Sequence, residues 1–254
     1  MTMWWPWVRL AAAALGCAAL IRQLVLAVTN ARTAGTEAAS HLPTVIANFF
    51  SYFTVLSNLI AAVALILGAV WMLRHRHDRA PEPIWLSTLF ACAATYMIVT
   101  GIVYNVLLRS IQIAGISDPW TNEALHVVIP LVMLADVLLA PHRRSLHYRT
   151  VAVIAAFPLV WAVYTLVRAD HVTAPSTGNP WWYPYPFLDP HLQGGYAVVV
   201  VYIIGIAAVI LTVGAGVIWV GRRRRAAAVD DRSDRTDLAY PQIEDSSEGD
   251  ALVG

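Results

Sequence analysis

Six long apolar runs constrain this chain more than any other feature. An α-helix needs about 20 apolar residues to cross the hydrocarbon core of a bilayer. The runs fall near 7–29, 44–73, 85–108, 120–140, 149–168 and 196–220. Backbone amides inside hydrocarbon must bond within their own segment, so runs of this length predict helices. The expected fold is all-α: a polytopic six-helix transmembrane bundle over residues 1–221, with a second helix long enough to tilt or to extend past the membrane. Composition agrees. Charged residues are 13% of the chain, against roughly 25% in soluble domains.

The short loops predict orientation, because Arg-rich loops stay in the cytoplasm. Arg74, Arg76 and Arg79 lie in one connection, Arg143, Arg144 and Arg149 in another, and Arg222 to Arg225 come after the last span. The other connections hold one Arg each, as at Arg32, Arg109 and Arg168. Both termini are expected in the cytoplasm and the protein in the cell membrane as a multi-pass chain. Residues 222–254 read as a basic run and then an acidic, disordered cytoplasmic tail. Cys17 and Cys92 sit in apolar runs, so neither a disulfide framework nor a metal site is expected. Ala14 to Cys17 weakly matches a lipoprotein cleavage site, but Arg22 interrupts the apolar residues beyond it, and an uncleaved first span is the better reading.

Polar groups within the spans are costly, and each is a candidate functional residue. Ser51, Thr54 and Asn58 share one helical face. Thr54 is expected about 15 Å below the outer end of the second span, at about 1.5 Å per residue. Tyr96, Thr100 and Tyr104 form a stripe on the third span with Asn105 beside it, and Glu123 and His126 lie one turn apart on the fourth. Arg22 and Gln23 occupy the first span, and Tyr164 and Arg168 the fifth. All fall in the outer half of the bilayer, and a shared cavity explains the agreement. Structural readings stand beside this one. Thr hydroxyls bond their own helix, Asn side chains join helices, Arg22 can pair with an acid such as Glu123, and Asp136 near the inner end can meet cytoplasmic Arg.

A hydroxyl and an imidazole in one cavity suggest nucleophilic catalysis. Thr54 would attack an acyl carbon, and His126 would serve as base and acid. Glu123 or Asn58 would orient the imidazole, and Asn105, Tyr104 or Arg22 would stabilise the oxyanion. Lipid or fatty acid esters entering from the bilayer are the expected substrates, with no cofactor, no metal and no nucleic-acid partner. The 169–195 connection is rich in Pro and aromatic residues. Either it forms an interfacial belt, or Tyr183, Tyr185, Pro186, Phe187 and Asp189 form a lid over the site.

The runs Asn48–Leu59, Val99–Asn105, Glu123–Pro130 and Trp182–Asp189 together resemble an uncharacterised, mostly actinobacterial family of six-span membrane proteins. That family is distantly similar to the eukaryotic androgen-induced family, which includes the androgen-dependent TFPI-regulating protein and consists of membrane threonine hydrolases of fatty acid esters of hydroxy fatty acids. The resemblance puts Thr54, within Tyr52–Ser57, in the nucleophile's place and His126, before Pro130, in the base's place. Tyr185 to Asp189 match a Tyr-Pro-Phe-Leu-acid element. The His-to-Pro interval is one residue shorter here, and Asn58 and Glu123 have no counterpart. The rival expectations are a small transporter or lipid-binding protein using the same cavity, with Arg22, Glu123 and His126 handling charge, or an assembly partner acting through its tail.

Overall fold

The computed structural model describes residues 4–77, 81–110 and 118–239. Its elements are α1 (Trp5–Arg32), α2 (Glu37–Ser40), α3 (Leu42–Phe49), α4 (Phe53–Arg74), α5 (Ile84–Val103), α6 (Pro119–Glu123), α7 (Ile129–Leu139), α8 (Thr150–Ala169), α9 (Pro190–Gln193) and α10 (Tyr196–Ala239). Wider π turns, Tyr104–Leu108 and Ala124–Val128, extend α5 and join α6 to α7. No strand occurs among the described residues. Six helical stretches are long and apolar enough to cross a membrane: Trp5–Arg32, Phe53–Arg74, Ile84–Leu108, Pro119–Leu139, Thr150–Ala169 and Tyr196–Ala227.

Two boundaries differ from the sequence reading. The run 44–73 is two helices: α3 stops at Phe49, and α4 restarts at Phe53. Ser51 donates its hydroxyl to the Ala47 carbonyl at 2.7 Å, while Tyr52 is extended. Side-chain bonding of that kind competes with helix continuation. Hydropathy averaged over a span is blind to the break, because only three residues, Phe50 to Tyr52, separate the two apolar helices. The last helix continues through the basic run to Ala239. Ala226 to Ala228 are strong helix formers and carry it beyond the apolar stretch. Arg79 and residues 240–254 of the tail lie outside the described residues.

Helices in lipid associate through close packing, which favours small residues at their contacts. Ala12 and Ala13 of α1, Ala61, Ala62 and Ala64 of α4, and Ala93 and Ala94 of α5 are buried in one cluster. Helix α5 is central and packs against α4, α7, α8 and α10. Gly101 lets α5 approach α7 closely: a Cβ there would lie 3.0 Å from Pro130 Cβ.

At the Arg-rich end the bundle encloses charge. Arg9 is completely buried. Its guanidinium donates to Asp136 at 2.9 Å and to Glu82 at 3.2 Å. Arg143 also donates to Asp136, at 3.2 Å. The Arg9 and Arg143 guanidinium groups lie 4.2 and 4.3 Å from the centre of the Phe90 ring. The Glu82 backbone N–H donates to the His142 carbonyl at 2.8 Å, which ties two Arg-rich connections together. The sequence reading placed Asp136 beside loop Arg residues. Arg9 itself was not singled out, because one Arg near the end of a span looks like an interfacial anchor.

Candidate active site

The break between α3 and α4 puts Thr54 in the first turn of α4 rather than deep within a continuous helix. The first N–H groups of a helix have no intrahelical acceptor and carry the positive end of its dipole. The Thr54 N–H donates to the Tyr185 hydroxyl at 3.1 Å. That hydroxyl also lies 3.2 Å from Thr54 Oγ1. Trp161 Nε1–H donates to the Ser51 carbonyl at 2.9 Å and fixes the extended corner.

His126 approaches from the opposite side. Its Nε2 lies 3.3 Å from Thr54 Oγ1, and its Nδ1 lies 2.9 Å from the Asn122 carbonyl. A carbonyl oxygen only accepts, so Nδ1 carries the proton and the neutral ring presents Nε2 as an acceptor to Thr54. The imidazole stacks on Tyr104, with ring centres 4.1 Å apart. Asn122 Nδ2 donates to the Tyr104 hydroxyl, which leaves the Tyr104 O–H free to donate.

His126 sits within the π turn Ala124–Val128. Such turns recur at functional sites because they re-aim side chains. The cause here is local. Pro130 has no N–H, and its ring would clash with the carbonyl four residues back. With π spacing the Leu125 carbonyl faces position 130, which cannot donate. Asn58 Nδ2 supplies the missing donor at 3.4 Å. A second proline is compensated in the same way. Pro158 lies inside α8, and the Tyr96 hydroxyl donates to the Ile154 carbonyl at 2.8 Å.

Thr54 opens into a cavity of about 510 Å³ between α4, α5, α8 and α10. Thr54, Thr100, Tyr104 and Tyr185 contribute polar atoms, and most of the remaining wall is apolar, including Ala152, Ala155, Ala156, Leu159, Ile206 and Ile210. From Ala162 to Ala152 the cavity runs along α8 for about 15 Å, at about 1.5 Å per residue. It is a largely apolar cavity with the Thr54 hydroxyl in its wall; His126 does not line it and reaches it only through Thr54.

The other candidates divide. Asn58 donates to the Thr54 and Leu125 carbonyls, so it supports the backbone around both site residues without touching the imidazole. Glu123 pairs with Arg109 at a half-exposed surface and makes no hydrogen bond to His126. Arg22 pairs with Asp118 at 2.6 Å, not with Glu123. Both acids lie near the start of the fourth span, and hydropathy does not say which way each faces. Asn105 donates to the Gly101 carbonyl at 2.8 Å and accepts from Arg109. Neither Arg22, Glu123 nor Asn105 lines the cavity.

In the 169–195 connection, Tyr185 and Phe187 are buried and stacked, 5.1 Å apart, and both line the cavity. Burial pushes the Tyr185 hydroxyl above its ordinary pKa, so it remains protonated. Pro186 begins a short 3₁₀ turn over Pro186–Leu188. Tyr183 contacts Asp170 and Tyr196, and Asp189 caps α9 by accepting from the His191 N–H at 2.9 Å, so both hold the connection in place away from Thr54. Sequence reasoning missed Asn122, whose carbonyl and side chain hold His126 and Tyr104. Its position four residues before His126 is the only signal that could have found it.

Compared with known proteins, the chain matches no family model, no curated sequence and no solved structure.

Proposed function

We propose that this chain is an integral membrane hydrolase of lipid esters, with Thr54 as nucleophile and His126 as general base and then general acid. The observation that carries the reading is the 3.3 Å approach of His126 Nε2 to Thr54 Oγ1, a hydroxyl in the wall of an apolar cavity. Nucleophile–base distances of roughly 2.6–3.2 Å, often looser without substrate, are the signature of an activated hydroxyl. The resemblance of Tyr52–Ser57 and Glu123–Pro130 to the membrane threonine hydrolases supports the same assignment, and the cell membrane is the proposed location.

In this mechanism the acyl chain lies along α8 in the cavity, with its ester carbonyl beside Thr54. The Thr54 proton passes to His126 Nε2 as Oγ1 bonds to the acyl carbon. The Asn122 carbonyl holds Nδ1–H, so the ring accepts on the correct side and the imidazolium that forms is stabilised. The Tyr104 hydroxyl is free to donate, and the Tyr185 hydroxyl, 3.2 Å from Thr54 Oγ1, turns its proton from Oγ1 to the charge that develops on the carbonyl oxygen. His126 returns the proton to the leaving alkoxide as the ester C–O bond breaks. Water, deprotonated by His126, then attacks the acyl carbon, and His126 returns that proton to Thr54 Oγ1 as the acyl–Oγ1 bond breaks and the fatty acid leaves.

The test is labelling of the purified protein with a long-chain fluorophosphonate, comparing wild type with Thr54→Ala and His126→Ala. Labelling of wild type and its loss in both variants is the expected result. A folded wild type that does not label overturns the hydrolase. The same cavity then supports lipid binding without turnover, read by retention of a long-chain ester in the wild type.

A further inference from the structure

A second pocket, of about 20 Å³, lies at the Arg-rich end between the start of α5, the 141–149 connection and the middle of α10. Roughly 10–15 Å³ accommodates one water, so this chamber receives only an atom or two. Ser87, Arg143 and Arg144 line it. Ser87 is 2% exposed, and the Arg143 side chain 11%. Ser87 Oγ, Arg143 Nε and Arg144 Nε are buried and have no hydrogen-bond partner among the described residues. Buried donors are nearly always satisfied. Both Nε–H groups can only donate, so what they lack is an acceptor.

The charge around the pocket has one sign in excess. Arg143 shares Asp136 with Arg9. Arg144 has no acidic partner among the described residues. Arg222 and Arg224 give their N–H groups to the carbonyls of Leu146, Val137 and Ala140, which bring no negative charge to the cluster. We propose that this pocket binds the oxygen of a phosphate group, presented by an anionic phospholipid headgroup of the adjoining leaflet or by free phosphate. A phosphate oxygen offers only lone pairs and fits a chamber of this size, while the rest of the group meets the Arg side chains at the mouth. Basic pockets between spans at the Arg-rich face of a membrane protein recognise such headgroups. The inference is independent of the chemistry at Thr54.

The test is native mass spectrometry of the full chain, purified in detergent with phosphatidylglycerol or phosphatidylcholine and compared with Arg144→Gln, Ser87→Ala and Arg223→Gln. Arg223 belongs to the same basic run but does not line the pocket. Wild type is expected to retain phosphatidylglycerol in preference to phosphatidylcholine. Arg144→Gln and Ser87→Ala should each lower retention about fivefold, and Arg223→Gln should leave it unchanged. Inorganic phosphate that raises the Tm of wild type but not of Arg144→Gln, without phosphatidylglycerol retention, identifies the free ion as occupant and supports the site. Equal retention of the two lipids with no phosphate effect overturns the proposal, as does wild-type retention by both pocket variants.

Discussion

His126 Nε2 lies 3.3 Å from Thr54 Oγ1 across 72 residues of chain. Two irregularities create that contact: the break that starts α4 at Phe53, and the π turn that carries His126 ahead of Pro130. A continuous helix at either place would rotate one partner away from the other.

In the proposed mechanism, ester turnover depends on both members of the pair. Thr54→Ala should abolish hydrolysis of a fluorogenic long-chain ester, and Thr54→Ser should retain a measurable rate. His126→Ala should lower kcat by about 10²–10⁴-fold, the usual contribution of a general base. Unchanged turnover in Thr54→Ala would rule out the mechanism.

Tyr185 touches Thr54, whereas Glu123 makes no hydrogen bond to either member of the pair. Tyr185→Phe removes the hydroxyl that holds the Thr54 N–H and contacts Oγ1. It should cost about 10²–10³ in kcat, as the loss of one oxyanion donor does, while the ring packing keeps the fold. Glu123→Gln breaks only a half-exposed pair with Arg109. Its effect on stability should stay within about 1 kcal/mol, with kcat near wild type. A large kcat loss in Glu123→Gln would restore that residue as the orienter.

The buried ions at the Arg-rich end should govern stability rather than turnover. Arg9→Ala leaves Asp136 and Glu82 short of their cation and should cost about 3–5 kcal/mol, read by thermal unfolding in detergent.

Burial raises the Glu82 pKa above its ordinary 4.5 and outweighs the opposing pull of Arg143 and Arg9. Its folded pKa therefore exceeds its unfolded value. The stability linked to this proton is complete below about 4.5 and declines as pH rises through the raised value. The Tm of wild type relative to Glu82→Gln should accordingly fall as pH is raised across that window. A difference that grows in favour of wild type would show that the ion pair wins over desolvation.

Gly68 of α4 lies directly against this cluster. A Cβ there would lie 2.4 Å from the Phe90 ring and 2.5 Å from the Arg9 guanidinium. Gly68→Ala should destabilise by about 1–3 kcal/mol, as overpacking does. Gly205→Ala, with open space around it, should cost much less. Equal Tm values for the two variants would contradict the packing of α4 on α5.

The chain's own residues determined that six helical stretches would be long and apolar enough to cross a bilayer. Helix length and apolarity are local properties, and hydrocarbon leaves the backbone no alternative. The identities of Thr54 and His126 as the pair to watch were legible for a related reason: polar groups stand out against Leu, Val and Ala. What only the tertiary structure decided is which polar groups meet. Glu123 and Arg22 belong to the same stretch of depth as His126, yet they turn outward to Arg109 and Asp118. Asn122 and Tyr185 turn inward, although the first was not singled out within the fourth span and the second reads as part of an aromatic belt or a lid. Arg9, Glu82 and Asp136 converge from three separate parts of the chain. Rotation about a helix axis costs nothing in hydropathy. It is set by side-chain packing between helices and by donors that compensate prolines, as Asn58 does beside Pro130 and Tyr96 beside Pro158.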